Sequence, residues 1–279
     1  MGEMVLSDST HIFEDHDNRR EAEDLMAHIL DVDHDDLDLD EEPRRLMRDR
    51  YLALVARRAA GEPFPFLTGW IEFYGMELIV RPGAFVPRPS SELTVTRALK
   101  RLKRRRHPVM VDVCAGAGPI ALAVANELAH AEVWGIDIDE GGLAQGRDNA
   151  RRYDLDNVTF RKSDMYNSLP KKLLGSVDVI TGHVPYVPAD ELEDLPREVR
   201  GYEPVYTLSD RSEDGLTLMR RAAAESIKWL KPGGWLLLEV SEDMLGKVRR
   251  ICNSAGLEAH GVAADDDRLS IVVESRKPE

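Results

Sequence analysis

From His107 onward, short apolar runs alternate with helical segments, and this alternation constrains the fold more than any other feature of the sequence. Val109–Val113, Glu132–Ile136, Val158–Lys162, Val177–Thr181, Trp235–Val240, Leu257–Val262 and Leu269–Val273 read as seven strands. Strands this apolar are buried on both faces, so the expected architecture is α/β, a doubly wound, Rossmann-like and mostly parallel sheet under two helical layers. Only Ala263 to Arg268 joins the last two strands. Such a connection is too short for the crossover that parallel neighbours require, so the last strand is expected to run antiparallel.

Two helical patterns precede this region. Ala22, Leu25, Met26, Ile29 and Leu30 share one helical face, and Met47, Tyr51, Leu54 and Val55 share another. Between them lies an acidic stretch, Asp31, Asp33, Asp35, Asp36, Asp38, Asp40, Glu41 and Glu42, whose first half imitates the spacing of a calcium-binding loop. Asp36 stands where that loop needs a glycine, and Pro43 follows, so the stretch reads as a solvated, self-repelling connector and no metal is expected. After Gly61, two extended stretches, Trp70–Phe73 and Met76–Val80, flank Tyr74-Gly75 in a hairpin pattern. The expected organisation is an N-terminal helical domain over residues 1–62, a hairpin linker over 63–90 and an α/β domain over 91–279.

Charge and composition narrow the possible partners. Lys and Arg number 37 against 51 Asp and Glu, a net charge of −14, so the overall field repels phosphate backbones and no nucleic acid is expected as a partner. Lys100 to Arg106 is densely basic, but it closes a helical pattern that begins near Ser91, where cations complement the helix dipole. No apolar run is long enough to span a bilayer, and Met1 to Asp17 lacks the blocks of a signal peptide, so a cytoplasmic protein without a membrane partner is expected. Cys114 and Cys252 have no metal-ligand spacing, and neither a disulfide framework nor a zinc site is expected.

The chemistry concentrates where the first of the seven strands ends. Asp112-Val113-Cys114-Ala115-Gly116-Ala117-Gly118-Pro119 joins that strand to a helix, at the sheet edge where doubly wound folds bind nucleotides. Gly116 and Gly118 permit close backbone approach to a ligand, and Pro119 suits a first helical turn. Asp137 ends the next strand, where a carboxylate can accept hydrogen bonds from both ribose hydroxyls of an adenosine. The pattern Gly116-x-Gly118-x-x-Ala121 also satisfies the relaxed dinucleotide fingerprint, so a nicotinamide enzyme is not separated by these signals alone. Three features favour S-adenosylmethionine: Asp112 opening the loop, Ser163-Asp164-Met165 after the third strand, and the antiparallel last strand. Asp164 would accept from an adenine amino group and Met165 would pack on the base, while Cys114 reads as a small buried spacer.

After the fourth strand comes Gly182-His183-Val184-Pro185-Tyr186-Val187-Pro188, a polar ring, a rigid proline and an aromatic on a loop that should face the cofactor. Here the chain resembles the release-factor glutamine methyltransferases over nearly its full length. Phe73-Tyr74-Gly75 is similar to that family's hairpin, and Pro87-Arg88-Pro89-Ser90-Ser91-Glu92 to its Pro-Arg-Pro-Glu-Thr-Glu. Tyr202-Glu203-Pro204, Asp214-Gly215-Leu216 and Leu230-Lys231-Pro232-Gly233-Gly234 follow in family order.

The resemblance implies a methyltransferase fold, S-adenosylmethionine as cofactor and a release factor or related protein as substrate, recognised by the N-terminal helices. It gives Cys114, Ala115, Gly116, Ala117, Gly118, Asp137 and Met165 to the cofactor and His183, Val184, Pro185 and Tyr186 to the methyl acceptor. Catalysis then falls to His183, Pro185 and Tyr186, with His183 also beside the cofactor. The chain departs from the family at Cys114, which replaces a glycine, and at His183-Val184, which replace the Asn-Pro of Asn-Pro-Pro-Tyr. A neutral imidazole offers one donor and one acceptor where asparagine offers two donors and a carbonyl, so the pattern presented to a glutamine amide changes. His183 could instead serve as general base for a small-molecule N- or O-methyltransferase. A non-catalytic binding module and a DNA adenine methyltransferase complete the alternatives, the last opposed by the negative charge and by the lack of an evident target-recognition domain.

Overall fold

The computed structural model describes residues 18–38, 45–264 and 271–279. The Met1–Asp17 segment, Asp40 to Pro43 of the acidic stretch, and Leu269 and Ser270 of the expected last strand lie outside the described residues, as does most of the connection before that strand. The chain separates into two compact units, residues 1–70 with 196–202, and residues 71–195 with 203–279.

In the first unit, helices Asn18–Leu30 and Arg45–Ala59 carry the two faces read from the sequence. Ala22, Leu25, Met26 and Ile29 bury against Tyr51 and Val55. Leu67, from the short helix Phe64–Thr68, completes this core, and for that reason the unit extends past the boundary expected at residue 62. Arg58 holds Glu21 with two hydrogen bonds, of 2.8 and 2.9 Å, and reaches Glu198 at 3.0 Å. That second contact shows why a segment 140 residues away belongs to the helical unit. In the acidic connector, His34 to Asp36 form a single tight turn, with His34 hydrogen-bonded to Asp24 at 2.7 Å.

Among the described residues the second unit is built on nine strands, β1 Trp70–Phe73, β2 Met76–Ile79, β3 Val109–Val113, β4 Glu132–Asp137, β5 Val158–Lys162, β6 Val177–Gly182, β7 Leu230–Val240, β8 Glu258–Ala264 and β9 Ile271–Arg276; the start of β1 falls at the unit boundary. β1 and β2 form the expected hairpin, and Tyr74 and Gly75 both take positive φ, as a two-residue turn matching strand twist demands. The other seven form one sheet in the order β5-β4-β3-β6-β7-β9-β8. β3 to β7 pair in parallel, whereas β9 runs antiparallel to both β7 and β8. Because the chain winds outward from β3 to β5 and then returns to the other side of β3, the order reverses at β3, and a crevice opens at the carboxyl ends there.

Both sheet faces are covered, as the apolar strands require. Val111, Val113, Ile136, Ile180 and Leu238 pack beneath helices Thr217–Trp229 and Leu245–Ser254. Their neighbours Met110, Val133, Val179 and Leu237 pack on the opposite side beneath Glu92–Leu102 and Pro119–Glu127. Among the described residues, no helix is long and apolar enough to cross a membrane.

Helix Glu140–Arg152 and the Tyr153 that follows it cover an edge of β2, and Arg81 beyond it, with side chains. Tyr153, Asn149 and Gln145 accept from the backbone N–H groups of Glu77, Ile79 and Arg81 at 2.7, 2.7 and 2.9 Å, and each also donates to the carbonyl of the same residue. Four helical residues rise about 6 Å, close to the span of about 6.6 Å for two strand residues, so an i, i+4 ladder meets an i, i+2 ladder in register.

Helix Glu140–Arg152 also lies unusually close to the glycine loop. Phe160 of β5 sits where Gly118, Gly135 and Gly146 leave out a side chain, and a Cβ at Gly135 would come within 2.5 Å of its ring. Gly135→Ala should therefore destabilise by about 1–3 kcal/mol through overpacking. Urea denaturation checks this, with a lower midpoint and an unchanged slope expected.

Candidate cofactor and acceptor site

A cavity of about 790 Å³ opens at the carboxyl ends of β3, β4 and β6. Its floor is the segment between β3 and helix Pro119–Glu127, where Cys114, Gly116 and Gly118 all take positive φ. This tight path turns the chain over the end of the strand. Asp112, Cys114, Ala115, Gly116, Ala117, Asp137, Asp164, Met165, His183 and Pro185 all line the cavity, so the structure brings together most of the residues singled out from the sequence.

Gly118 stands apart from that group. It is not among the lining residues, and a Cβ there would overlap the Phe160 ring, so its role is to let the loop settle against β5 and start the helix. Gly116 is the opposite case, because a Cβ on it would meet nothing within 4 Å. Behind Gly116 lies Gly142, whose own Cβ would sit 2.8 Å from the Gly116 carbonyl carbon. The sequence reading missed Gly142 and Gly146; their signal was two glycines four apart inside a helical pattern, where glycine is otherwise unfavourable.

Asp137 fixes the shape of this floor. One carboxylate oxygen accepts from Gly116 N and the other from Asp139 N, both at 2.7 Å. Asp139 in turn caps helix Glu140–Arg152, accepting from Gly141 N and Gly142 N at 2.9 and 3.0 Å. Burial raises the Asp137 carboxyl above its ordinary range, and the backbone donors at Asp139 and Gly116 pull it back in part. Asp112 is deeper; Thr181 Oγ1 donates to it at 2.7 Å, and burial pushes its carboxyl up to about 7, against the pull of the donors at Thr181 and the Ala121 backbone. The Cys114 thiol is pushed well above its usual range by burial, which suits a packed spacer.

Three residues behave differently from expectation. Both Asp164 oxygens are held by Arg221, at 2.8 and 3.2 Å, a partner the sequence did not reveal. Val184 is fully buried in the core under β6, so its side chain does not reach the cavity and only its main chain remains available to an acceptor. Tyr186 is also absent from the lining; its ring stacks on His183 at 5.9 Å, and burial raises its hydroxyl above the usual range.

The remaining wall joins distant motifs. Arg88 pairs with the buried carboxylate of Glu203 and lies over the Phe85 ring at 4.5 Å, so the Pro87-Arg88-Pro89 and Glu203-Pro204 segments form one corner. Gly215 takes φ +65, and a Cβ there would overlap the backbone of Tyr186 and come within 2.8 Å of Pro188 N. The Asp214-Gly215-Leu216 turn is thus pressed against the His183 loop.

Residues 105–255 match the Methyltransferase domain family, and residues 5–69 match the PrmC N-terminal domain. The release factor glutamine methyltransferase of Thermodesulfovibrio yellowstonii is 30% identical over 93% of this chain and 94% of its own. Its counterpart in Burkholderia pseudomallei is 35% identical over 90% of each chain. The chain belongs to the release factor glutamine methyltransferase family. Geobacter sulfurreducens has a further member, 35% identical over 83% of this chain and 81% of its own. A crystal structure of a Pyrococcus furiosus methyltransferase shares the fold, with a TM-score of 0.53 at 18% identity, covering 85% of this chain and all of that one.

As a member of this family the chain is an enzyme with S-adenosylmethionine as its cofactor, the source of an electrophilic sulfonium methyl group. The cavity suits that molecule. Each Asp137 oxygen keeps a second lone pair for a ribose hydroxyl, Gly116 leaves the floor clear of side chains, and Ile138 and Met165 offer apolar surface.

Asp137→Asn keeps one acceptor oxygen but turns an NH₂ toward a backbone N–H. Affinity for S-adenosylmethionine, measured by calorimetry, should fall about 10- to 100-fold, as loss of a charge-assisted hydrogen bond implies. Asp112 yields a pH prediction. Its folded-state carboxyl binds a proton more tightly than in the unfolded chain, so stability falls as pH rises from about 4 to about 7. Urea midpoints of Asp112→Asn should lose that part of the slope.

Proposed function

We propose that the chain methylates the side-chain amide nitrogen of a glutamine in a peptide-chain release factor, or in a closely related protein, in the cytoplasm. Support comes from the His183–Pro185 segment, which leaves the end of β6 next to the Asp137-anchored floor, in a chain that matches release factor glutamine methyltransferases along most of its length. In this reading Cys114 to Ala117, Asp137 and Met165 hold the cofactor, and Asp112 and Gly118 shape the floor from behind. The helical unit of residues 1–70 with 196–202 receives the protein substrate.

An amide nitrogen is a poor nucleophile because resonance delocalises its lone pair. The chain's contribution is therefore placement, worth about 7–11 kcal/mol of barrier when donor and acceptor meet at near-attack distance. His183, the main chain of Val184 and Pro185 form the acceptor cradle, and Tyr186 supports the imidazole from below. The imidazole in place of an amide also favours a second reading, in which His183 takes a proton from a small hydroxyl or amine acceptor.

Incubation with labelled S-adenosylmethionine and a set of release factors, followed by peptide mapping, tests the choice. Label on a glutamine is expected. Label on no protein, with transfer to a small hydroxyl compound, would replace the first reading by the second. His183→Asn should raise kcat/KM for glutamine by about tenfold, the worth of one hydrogen bond of about 1.4 kcal/mol, and should suppress any hydroxyl methylation.

A further inference from the structure

Glu239 is the penultimate residue of β7 and the one polar group in the run Leu236-Leu237-Leu238-Glu239-Val240, and its side chain is 4% exposed. A carboxylate this buried needs partners. Ser90 Oγ and Thr94 Oγ1 donate to its two oxygens at 3.3 and 3.1 Å, which fixes the carboxylate plane. One of those oxygens, Oε1, lies 3.8 Å from Nδ1 of His183, and Ser91 Oγ lies 3.4 Å from the same nitrogen.

The imidazole is held in this orientation on two sides. Tyr186 stacks on it with an interplanar angle of 21°, and the Phe85 ring meets it edge-on at 5.4 Å and 80°. Nε2 has no hydrogen-bond partner among the described residues, while His183 lines the cavity. The two ring nitrogens are therefore in different surroundings, one facing a buried carboxylate and a hydroxyl, the other unengaged.

We propose that Glu239 is a positioning residue that keeps the proton of neutral His183 on Nδ1, so that Nε2 presents its lone pair to the methyl acceptor in place of the family's asparagine side-chain oxygen. The argument is electrostatic. A lone pair on Nδ1 would face a buried carboxylate across 3.8 Å, whereas an N–H there is attracted. Ser91 does not oppose this choice, because a hydroxyl accepts from Nδ1–H as readily as it donates to a bare nitrogen. With the tautomer set, Nε2 accepts one N–H of the substrate amide and turns its nitrogen toward the methyl group. When that nitrogen's lone pair takes the methyl and the S–C bonding pair stays on sulfur, the nitrogen sheds one proton. Nε2 receives it, and the resulting imidazolium is stabilised by Glu239 before the proton leaves to water.

This inference rests on the glutamine reading for its substrate, but the tautomer does not, and the test separates them. ¹⁵N-edited NMR of the histidine rings in the full chain, with His183 identified by its absence in His183→Asn, reports the tautomer without any substrate. Wild type should show Nδ1–H, and Glu239→Gln should shift a large part of the population to Nε2–H. A wild-type ring protonated on Nε2 overturns the proposal, even if the Gln variant fails to fold.

Activity supplies the second arm. Glu239→Gln should lower kcat for the acceptor about 10- to 100-fold with little change in KM for S-adenosylmethionine. In the His183→Asn background the same substitution should cost less than about threefold, because no ring remains to be oriented. Equal losses in both backgrounds would make Glu239 a purely structural residue and overturn its positioning role. If wild type labels no glutamine, the glutamine reading fails while the tautomer result still stands or falls by itself.

Discussion

The two hydrogen bonds accepted by Asp137 hold the functional part of the structure together. One oxygen takes Gly116 N from the loop after β3 and the other takes Asp139 N from the turn after β4, so a single carboxylate ties two adjacent strand ends. Asp139 then carries the constraint into helix Glu140–Arg152 by capping its first turn. That helix covers the edge of β2 through Gln145 and Asn149, continued by Tyr153. A charge suited to gripping a nucleoside thus also orders its own surroundings before any nucleoside arrives, and preorganisation of this kind lowers what binding must spend on ordering.

Close backbone approach is the second recurring device. Gly142 meets the loop at Gly116, Gly118, Gly135 and Gly146 make room for Phe160, and Gly215 meets the backbone of the His183 loop. These contacts leave no space for a side chain, so loops that carry chemistry are held by shape on the side away from the cavity. The cavity itself is lined by small groups such as Ala115, Gly116 and Ala117 and by larger ones such as Arg88 and Tyr206.

Charge is handled unevenly across the two sides of the site. Beside the glycine loop, buried Asp112 and partly buried Asp137 have raised carboxyl groups, because loss of solvent outweighs their hydrogen bonds. Beside the His183 loop, Glu203 and Glu239 are buried with partners, Arg88 for the first and two hydroxyls beside an imidazole for the second. His183, standing where the family's motif carries an asparagine, thus lies beside a buried carboxylate.

Local residue order determined the class of fold, the parallel sheet with an antiparallel last strand, the hairpin at Tyr74-Gly75, the helical pair, and the position of the glycine loop and of Asp137. Those features follow from periodicities of two and 3.6 and from glycine and proline at strand ends, all of which act over a few residues. Tertiary structure alone decided that Gly118 serves packing, that Arg221 holds Asp164, that Val184 turns inward, and that residues 196–202 join the helical unit. It also placed Glu239 beside His183, 56 positions apart in the chain. Contacts of that kind depend on which strands become neighbours, and the chain carries no local mark of its partner across the sheet.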